Sequence, residues 1–429
     1  RADTVWTAKE DSVALPAQLG IPGFRHSIGL ARWWHFSFDL LWVINGVLFY
    51  VLIFITGQWR RLVPISWDVF PNALSTAMQY LSLQLPENAG YSTYNALQLL
   101  AYFVTVFVAA PLAIVTGLLQ APSVAAKFGT GAGVLNRQVA RSIHFGVMLW
   151  MVFFIFVHTA MVFLTGFVGN VNHITTGENT NSWTGVALYL AWMAVVVLFW
   201  VVASPLTIRR PRLVQRVGGL LVGWVKFLME WWDPKATYSK KDISEYFWTN
   251  GERPESAHYA SLKASGWRDY RLRVDGLVDQ PREFRYSELL EMPKQVQITQ
   301  HYCIQGWSGV AEWGGVPMRL ILDLVKPRAE AKWVVFYSFA EGPEGGRYYD
   351  CHPIENMSHD QTILAYEMNG EPLNESHGAP VRLRDEVELG FKQVKWVEAI
   401  EFVESFDHLG AGQGGYNEDQ EFYGYRMPI

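Results

Sequence analysis

Cysteine is nearly missing: the 429 residues include two, Cys303 and Cys351. A disulfide-stapled scaffold is thereby excluded, and either thiol taken alone is compatible with simple core packing. Charge is also scarce, at 17% of residues, and it is nearly balanced between 35 Lys+Arg and 40 Asp+Glu, for a formal net charge of -5. With no basic block, the chain has no electrostatic footprint for nucleic acid. Missing too are a Walker loop and an HExxH helix, which removes P-loop and zinc-hydrolase readings. What is abundant is apolar residues, 50% of the total, too many for one ordinary soluble enzyme. The charged residues crowd into the second half, so the expected organisation is a membrane domain joined to a soluble one.

Four stretches, roughly 33–57, 95–119, 142–168 and 183–206, are long and apolar enough to cross about 30 Å of hydrocarbon. They predict an all-α four-helix transmembrane bundle over 33–208, after an N-terminal segment 1–32. The first stretch reads as an anchor and not as a cleaved signal, being too long and lacking a small-residue cleavage pattern. Residues 58–94, with Pro64, Pro71, Pro86, Asn88 and Gly90, read as an interfacial cap. In residues 213–232, LVQRVGGLLVGWVKFLMEWW, scattered cations interrupt an apolar and aromatic run. That pattern suits a segment lying in the interface, within a linker 209–241. Near the span ends the cations are lopsided: Arg25, Arg32, Lys127, Arg137, Arg141, Arg209, Arg210, Arg212 and Arg216 on one side, Arg60 and Arg61 on the other. By the positive-inside rule the N-terminus, the 120–141 loop and everything after the fourth span face the cytoplasm. No export signal is expected for a domain that stays on that side.

Ionisable residues within spans are costly and usually functional. His35, His144 and His158 stand out. The last two are fourteen residues apart on one span, nearly the same helix face about 21 Å along the axis, a spacing that suits two stacked haems. One intramembrane histidine is readily explained by an interhelical hydrogen bond; three at this spacing are not. With RWWHF, RSIHF and FVHTAMVFLTG around them, residues 24–205 resemble the di-haem cytochrome b subunits of bacterial respiratory dehydrogenases and the prokaryotic b561 group. The resemblance implies haem b, exchange with quinone or quinol, and a bacterial inner (cytoplasmic) membrane. His35 and His144 start parallel spans and share a depth, so they are expected to clamp one iron, with Asp39 one turn beyond His35 either orienting that imidazole or merely solvated. His158 lacks a depth-matched histidine, since Phe49 occupies that position and the second span offers only Asn95 and Gln98. It marks either a second haem, with His173 folding inward, or part of a quinone pocket. His26 reads as a surface histidine.

From about Asp242 the sequence turns to alternating runs such as YRLRVDGLV, KWVVFYSF and VKWVEAIEFVESF, which read as strands of an α+β domain over 242–429. Its most distinctive stretch is HYCIQGWSGVAEWGGVP around Cys303. Together with YEMNGEPLNESHGAPVRL and GFKQVKWV, it makes the segment from Tyr246 to the end closely similar to the sulfite oxidase-type molybdopterin domain. The resemblance implies a molybdenum–molybdopterin cofactor held by the Cys303 thiolate, a soft ligand suited to a metal that changes oxidation state.

Further roles carry over from the same resemblance. In YFWTNG, Trp248, Thr249, Asn250 and Gly251 match a pterin-contacting turn. Ser338 in FYSF matches a small polar contact, His377 and Arg382 in HGAPVR a pterin-binding pair, and Gln393, Val394 and Lys395 the segment holding the cofactor phosphate. A catalytic tyrosine beside the metal is expected at Tyr348, with Tyr349 as the alternative. Sulfite oxidases surround the cysteine with cationic residues, whereas here Ile304, Gln305, Gly306 and Trp307 follow it. The chain is in this respect similar to the methionine sulfoxide reductase branch. The expected activity is oxygen-atom transfer at molybdenum, reducing a small S-oxide or similar oxyanion substrate with quinol electrons. The alternatives are a sulfite-type dehydrogenase feeding quinone and a b-type quinone or superoxide electron-transfer module with a docking molybdenum domain.

Overall fold

The computed structural model describes residues 28–84, 94–128, 137–178, 180–230, 238–304, 306–424 and 427. His26, Arg25 and Gln305 lie outside the described residues. The chain divides into two compact units, one of His35–Leu118 with Ala140–Val214, the other of Arg1–Trp34, Leu119–Val139 and Gln215–Ile429.

Helices fill the first part of the chain: α1 (Ile28–Ile55), α2 (Val69–Leu81), α3 (Ala96–Phe103), a π turn (Val104–Ala109), α4 (Ala110–Gln120), α5 (Pro122–Phe128), α6 (Arg137–Leu164), α7 (Phe167–Thr175), α8 (Trp183–Arg209) and α9 (Pro211–Glu230). Four rods, Gly29–Ile55, Ala96–Gln120, Arg137–Leu164 and Trp183–Thr207, are long and apolar enough to cross a membrane. These are the four spans expected from hydropathy. In hydrocarbon every backbone polar group needs an internal partner, so the irregular points are informative. At the π turn the carbonyl of Val106 accepts the Tyr50 hydroxyl, and Thr105 Oγ1 accepts the Trp150 indole N–H at 3.1 Å. Both bonds tie neighbouring rods at the break in the helical ladder. Asn95 is the N-cap of α3, and with Gln98 it forms a capping box. Between α7 and α8 the fully buried Asn172 donates to Val168 O at 2.8 Å and accepts from Gly185 N at 3.2 Å. α9 begins with proline at its first position, where the absent N–H costs nothing, and it fills most of the 209–241 linker.

The second unit holds the strands. β1 (Arg271–Gly276), β2 (Arg282–Arg285), β5 (Trp333–Glu341), β6 (Arg347–Pro353) and β10 (Val397–Val403) form one sheet in the order β2-β1-β10-β5-β6. β3 (Gln295–Tyr302), β4 (Ser308–Pro317), β7 (Ile363–Met368) and β8 (Glu371–Pro372) form the other, with β9 (Arg382–Arg384) pairing on β7. Most ladders are antiparallel, but β1 runs parallel to β10, so the last strand closes beside the first. Helices α10 (Ala257–Ala264), α11 (Tyr286–Glu291), α12 (Met318–Val325), α13 (Ile354–Met357) and α14 (Tyr416–Glu421) complete the unit. Leu272, Val274, Phe336, Ile400 and Phe402 of the first sheet share a core with Val316, Leu364 and Leu383 of the second and with Met318, Ile321 and Val325 of α12. The alternating runs of the sequence thus place their apolar residues inward, as an α+β domain requires.

A cluster of charged groups lies buried inside this unit. Lys392 is fully buried, and its ammonium reaches Asp350 Oδ1 at 2.5 Å and Glu418 Oε1 at 2.6 Å, both also fully buried. Burial pushes both carboxyls above their ordinary values while Lys392 pulls them back. Replacing Lys392 by Met leaves two acids without their counter-charge, and a cost of about 3–5 kcal/mol is expected. With carboxyl pKa values raised in the folded state, that state binds more protons than the unfolded one, so the variant should lose stability as pH rises. Thermal unfolding at pH 5 and pH 8 checks this: the Tm deficit of Lys392→Met should be the larger at pH 8.

Candidate active site and haem ligands

Cys303 lies in the five-residue loop of the β3–β4 hairpin, whose register pairs Tyr302 with Ser308. The loop is closed by Cys303 N–H to Trp307 O at 2.9 Å and Gly306 N–H to Cys303 O at 3.1 Å. Gly306 has a φ of 96°, a conformation that side-chain-bearing residues avoid, which accounts for the glycine in CIQGW. The thiol is 3% exposed and accepts the Asn250 side-chain N–H at 2.8 Å. Asn250 comes from the YFWTNG turn, where Gly251 has a φ of 80°, and its carbonyl accepts from Lys395. Lys395 donates as well to Ser376 O at 3.0 Å and stands 4.1 Å from the Trp396 ring centroid.

Around the thiol the charges are mainly positive. Arg382 is buried, donates to His377 O at 3.0 Å and lies over the Trp313 ring. Burial and its neighbour Arg384 push its pKa well down. Lys395 is pressed down to about 7 by burial and by Arg382, against an opposing pull from Cys303. Burial, then Arg382, lowers His377 to about 4, and burial with Arg384 and Arg382 lowers His301 further, so both rings are neutral. Arg384 itself is neutralised by a fork onto Glu386 at 2.8 and 2.7 Å. Three buried donors lack an acceptor among the described residues: Arg382 Nε and the indole N–H groups of Trp248 and Trp313. Unmet buried donors beside two destabilised cations fit an anionic, acceptor-rich ligand, which is what a pterin with its phosphate is. No cluster of three or more His, Cys, Asp or Glu poised for a metal ion occurs among the described residues. A metal on Cys303 would accordingly take its other ligands from such a cofactor.

The structure links Asn250, Cys303, Lys395, His377 and Arg382 by bonds and charge, and it gives other expected residues different work. The Ser338 hydroxyl is committed to the backbone, donating to Lys395 O at 2.7 Å and accepting from Ala340 N at 3.0 Å. Val394 is buried in the sheet core, and the Gln393 side chain donates to Asp385 O and Glu388 O. Thr249 is exposed. Tyr348 donates to Phe391 O and accepts from Asn417, both at 2.7 Å. Tyr349 donates to Asp419 at 2.5 Å. A tyrosine the sequence reading missed is Tyr423: its buried ring stacks on Phe391 at 4.9 Å, and burial chiefly, with the charge of Cys303 adding, raises its pKa.

In the helical unit the rings of His35 and His144 face one another with centroids 6.5 Å apart and planes 25° from parallel. Imidazoles on opposite sides of one metal, each with a metal–nitrogen bond of about 2 Å, leave a separation of this size. His35 Nδ1 is paired with Asp39 one turn on. His144 Nδ1 lies 3.0 Å from Thr116 Oγ1. Thr116 donates its one proton to Leu112 O at 2.5 Å, so it accepts from His144 Nδ1. His158 stacks on Phe154 at 5.5 Å with Tyr102 edge-on at 6.0 Å. His173 is carried on α7.

Residues 258–408 match the oxidoreductase molybdopterin binding domain family, and residues 9–177 match the prokaryotic cytochrome b561 family. Over 171 residues the chain is 33% identical to YedZ1 of Azospira oryzae, named as a protein-methionine-sulfoxide reductase subunit, covering 39% of this chain and 61% of that one. Over 179 residues it is 32% identical to the protein-methionine-sulfoxide reductase catalytic subunit MsrP of Xanthomonas axonopodis pv. citri, covering 38% and 54%. The chain thus spans between half and two thirds of the length of these curated relatives. The sulfane dehydrogenase SoxCD of Paracoccus pantotrophus matches at 27% identity over 32% of this chain and 39% of that one, with a TM-score of 0.29, too partial a likeness to bear on fold or substrate. Two family models thus match successive parts of the one chain, the prokaryotic cytochrome b561 model first and the oxidoreductase molybdopterin binding domain model after it.

Proposed function

We propose that this membrane protein reduces a neutral S-oxide at a molybdenum–molybdopterin centre held by Cys303, with electrons drawn from quinol through haem b. The observation that carries it is the buried Cys303 thiol on its hairpin loop, beside cations and unmet donors that call for an anionic cofactor. When bound, that cofactor supplies two-electron oxygen-atom transfer: the S-oxide and two protons give the sulfide and water, and oxidation of the quinol balances both electrons and protons. The chain's own residues hold and tune. Asn250 donates to the Cys303 sulfur, spreading the thiolate charge. Lys395 and Arg382 offer cations to phosphate and pterin oxygens, and Ser338 fixes the Lys395 backbone. Tyr348 keeps the framework behind this segment in place, and Tyr423 is the better candidate for a phenol near the thiol. His35 and His144 hold one haem, oriented by Asp39 and Thr116. The nine-to-two cation asymmetry at the span ends supports a cytoplasmic molybdopterin domain.

The loop following Cys303 brings no cation of its own toward substrate, and the one that does reach it, Arg137, is committed to backbone carbonyls. That favours a neutral S-oxide over sulfite. In quinol-reduced protein, adding methionine sulfoxide should reoxidise haem b, and Cys303→Ser should abolish the response while keeping the haem spectrum. Reduction of haem by sulfite instead would establish the dehydrogenase direction. His35→Ala and His144→Ala should each delete the same haem band, whereas His158→Ala should spare it.

Lys395 supplies a pH test. Above pH 7 the cofactor-free fold prefers the neutral amine, so gripping a phosphate requires proton uptake and weakens as pH rises. Molybdenum per protein after dialysis should be several-fold lower at pH 9 than at pH 6. In Lys395→Arg, whose charge persists, the difference should vanish.

A further inference from the structure

Arg137 opens α6, yet it belongs to the same compact unit as the molybdopterin domain. Its side chain is 7% exposed and grips backbone oxygens. Nε donates to Gln120 O at 2.9 Å, and Nη1 donates to Trp307 O at 3.1 Å and to Cys303 O at 3.4 Å, with the guanidinium 5.9 Å from the Tyr302 ring centroid. Cys303 and Trp307 are the two ends of the hairpin loop, and their carbonyls already accept the loop's closing N–H bonds. The guanidinium therefore takes the second lone pair of each, fastening the loop from outside while Asn250 donates to the sulfur.

We infer that Arg137 is a positioning residue for the Cys303 thiolate and that its fixed charge raises the reduction potential of a metal held there; the inference rests on Cys303 being the metal's protein ligand. Two physical points lead to it. A cation buried against the carbonyl of the ligating residue acts in a medium of low dielectric, where it favours the more electron-rich state of whatever that residue binds. A planar guanidinium with several donors at fixed angles can satisfy carbonyls on both sides of a loop at once, which a lysine ammonium on a flexible stem does poorly. Geometry and charge thus make separable contributions.

The experiment uses the full-length protein with Arg137→Gln and Arg137→Lys, followed by molybdenum content, haem absorbance and a redox titration of the molybdenum EPR signal. Arg137→Gln should keep its haem, shift the molybdenum midpoint to lower potential and alter the EPR line shape. Arg137→Lys should hold the midpoint near the wild-type value while the line shape changes, because charge remains and the fork is lost. A midpoint and line shape in Arg137→Gln equal to the wild type would overturn the inference. So would a wild-type line shape in Arg137→Lys, which decides the matter if the Gln variant purifies without metal. If the wild-type protein gives no molybdenum signal that Cys303→Ser removes, the failure belongs to the ligand assignment and not to Arg137.

Discussion

The buried ammonium of Lys392 is the constraint on which the molybdopterin unit is organised. It lies between Asp350 on β6 and Glu418 on α14, and its own carbonyl accepts from His352, whose other ring nitrogen is paired with Asp385. Two strands' worth of chain and a helix are thereby referred to one point in the segment Gly390–Lys395. A charge this deeply buried is tolerable only with its partners in place, so the segment has one position and not a range of them. That fixed position matters because Lys395 follows three residues later, and Tyr348 is tied to the same segment through Phe391.

Against that satisfied cluster, the region around Cys303 is left unbalanced. Arg382 and Lys395 are desolvated; Arg384 further depresses Arg382, against an opposing pull from Glu386, and Arg382 depresses Lys395. Buried donors of Trp248, Trp313 and Arg382 meet no acceptor among the described residues. Such an arrangement is unfavourable in the protein alone, and it becomes favourable when an anion rich in acceptor oxygens arrives. Cofactor binding is therefore coupled to the stability of this unit, by the same mass action that couples any ligand to the state it prefers. The two clusters thus contrast: that of Lys392 is paired, whereas the other holds buried donors without acceptors among the described residues.

The large features were legible in the sequence because they depend on local patterning. Span lengths follow from hydropathy, and strands from alternation. Asn250 and Cys303 stood out only through resemblance, since nothing in a lone cysteine distinguishes a ligand from packing; the thiol of Cys351 is buried and lifted by burial and by Asp350. What remained illegible was which way a hydroxyl or a cation is used. Ser338 and Tyr348 look like site residues in a string of letters, yet their hydroxyls close backbone gaps. Arg137 looked like one of nine topology-setting cations at the span ends, and its bonds run to residues more than a hundred and sixty positions later. Partner choice at that separation is a property of the fold, with no periodic trace in the chain.

The histidine pair shows how far a hydrogen-bond inventory can carry a mechanistic statement. A hydroxyl has a single proton, and Thr116 gives it to the carbonyl one turn back, as threonines in apolar helices commonly do. The bond to His144 must then run the other way, from ring to hydroxyl, so the tautomer is set by Thr116. Across the gap Asp39 engages the same nitrogen of His35, but a carboxylate is a far stronger acceptor than a hydroxyl and makes its imidazole the more electron-rich ligand. The two imidazoles are therefore held by unequal partners. If the pair holds a haem iron, as proposed, Asp39 would favour its oxidised state more than Thr116 would, so that an acid and an alcohol in the helices beside it would set its potential between them.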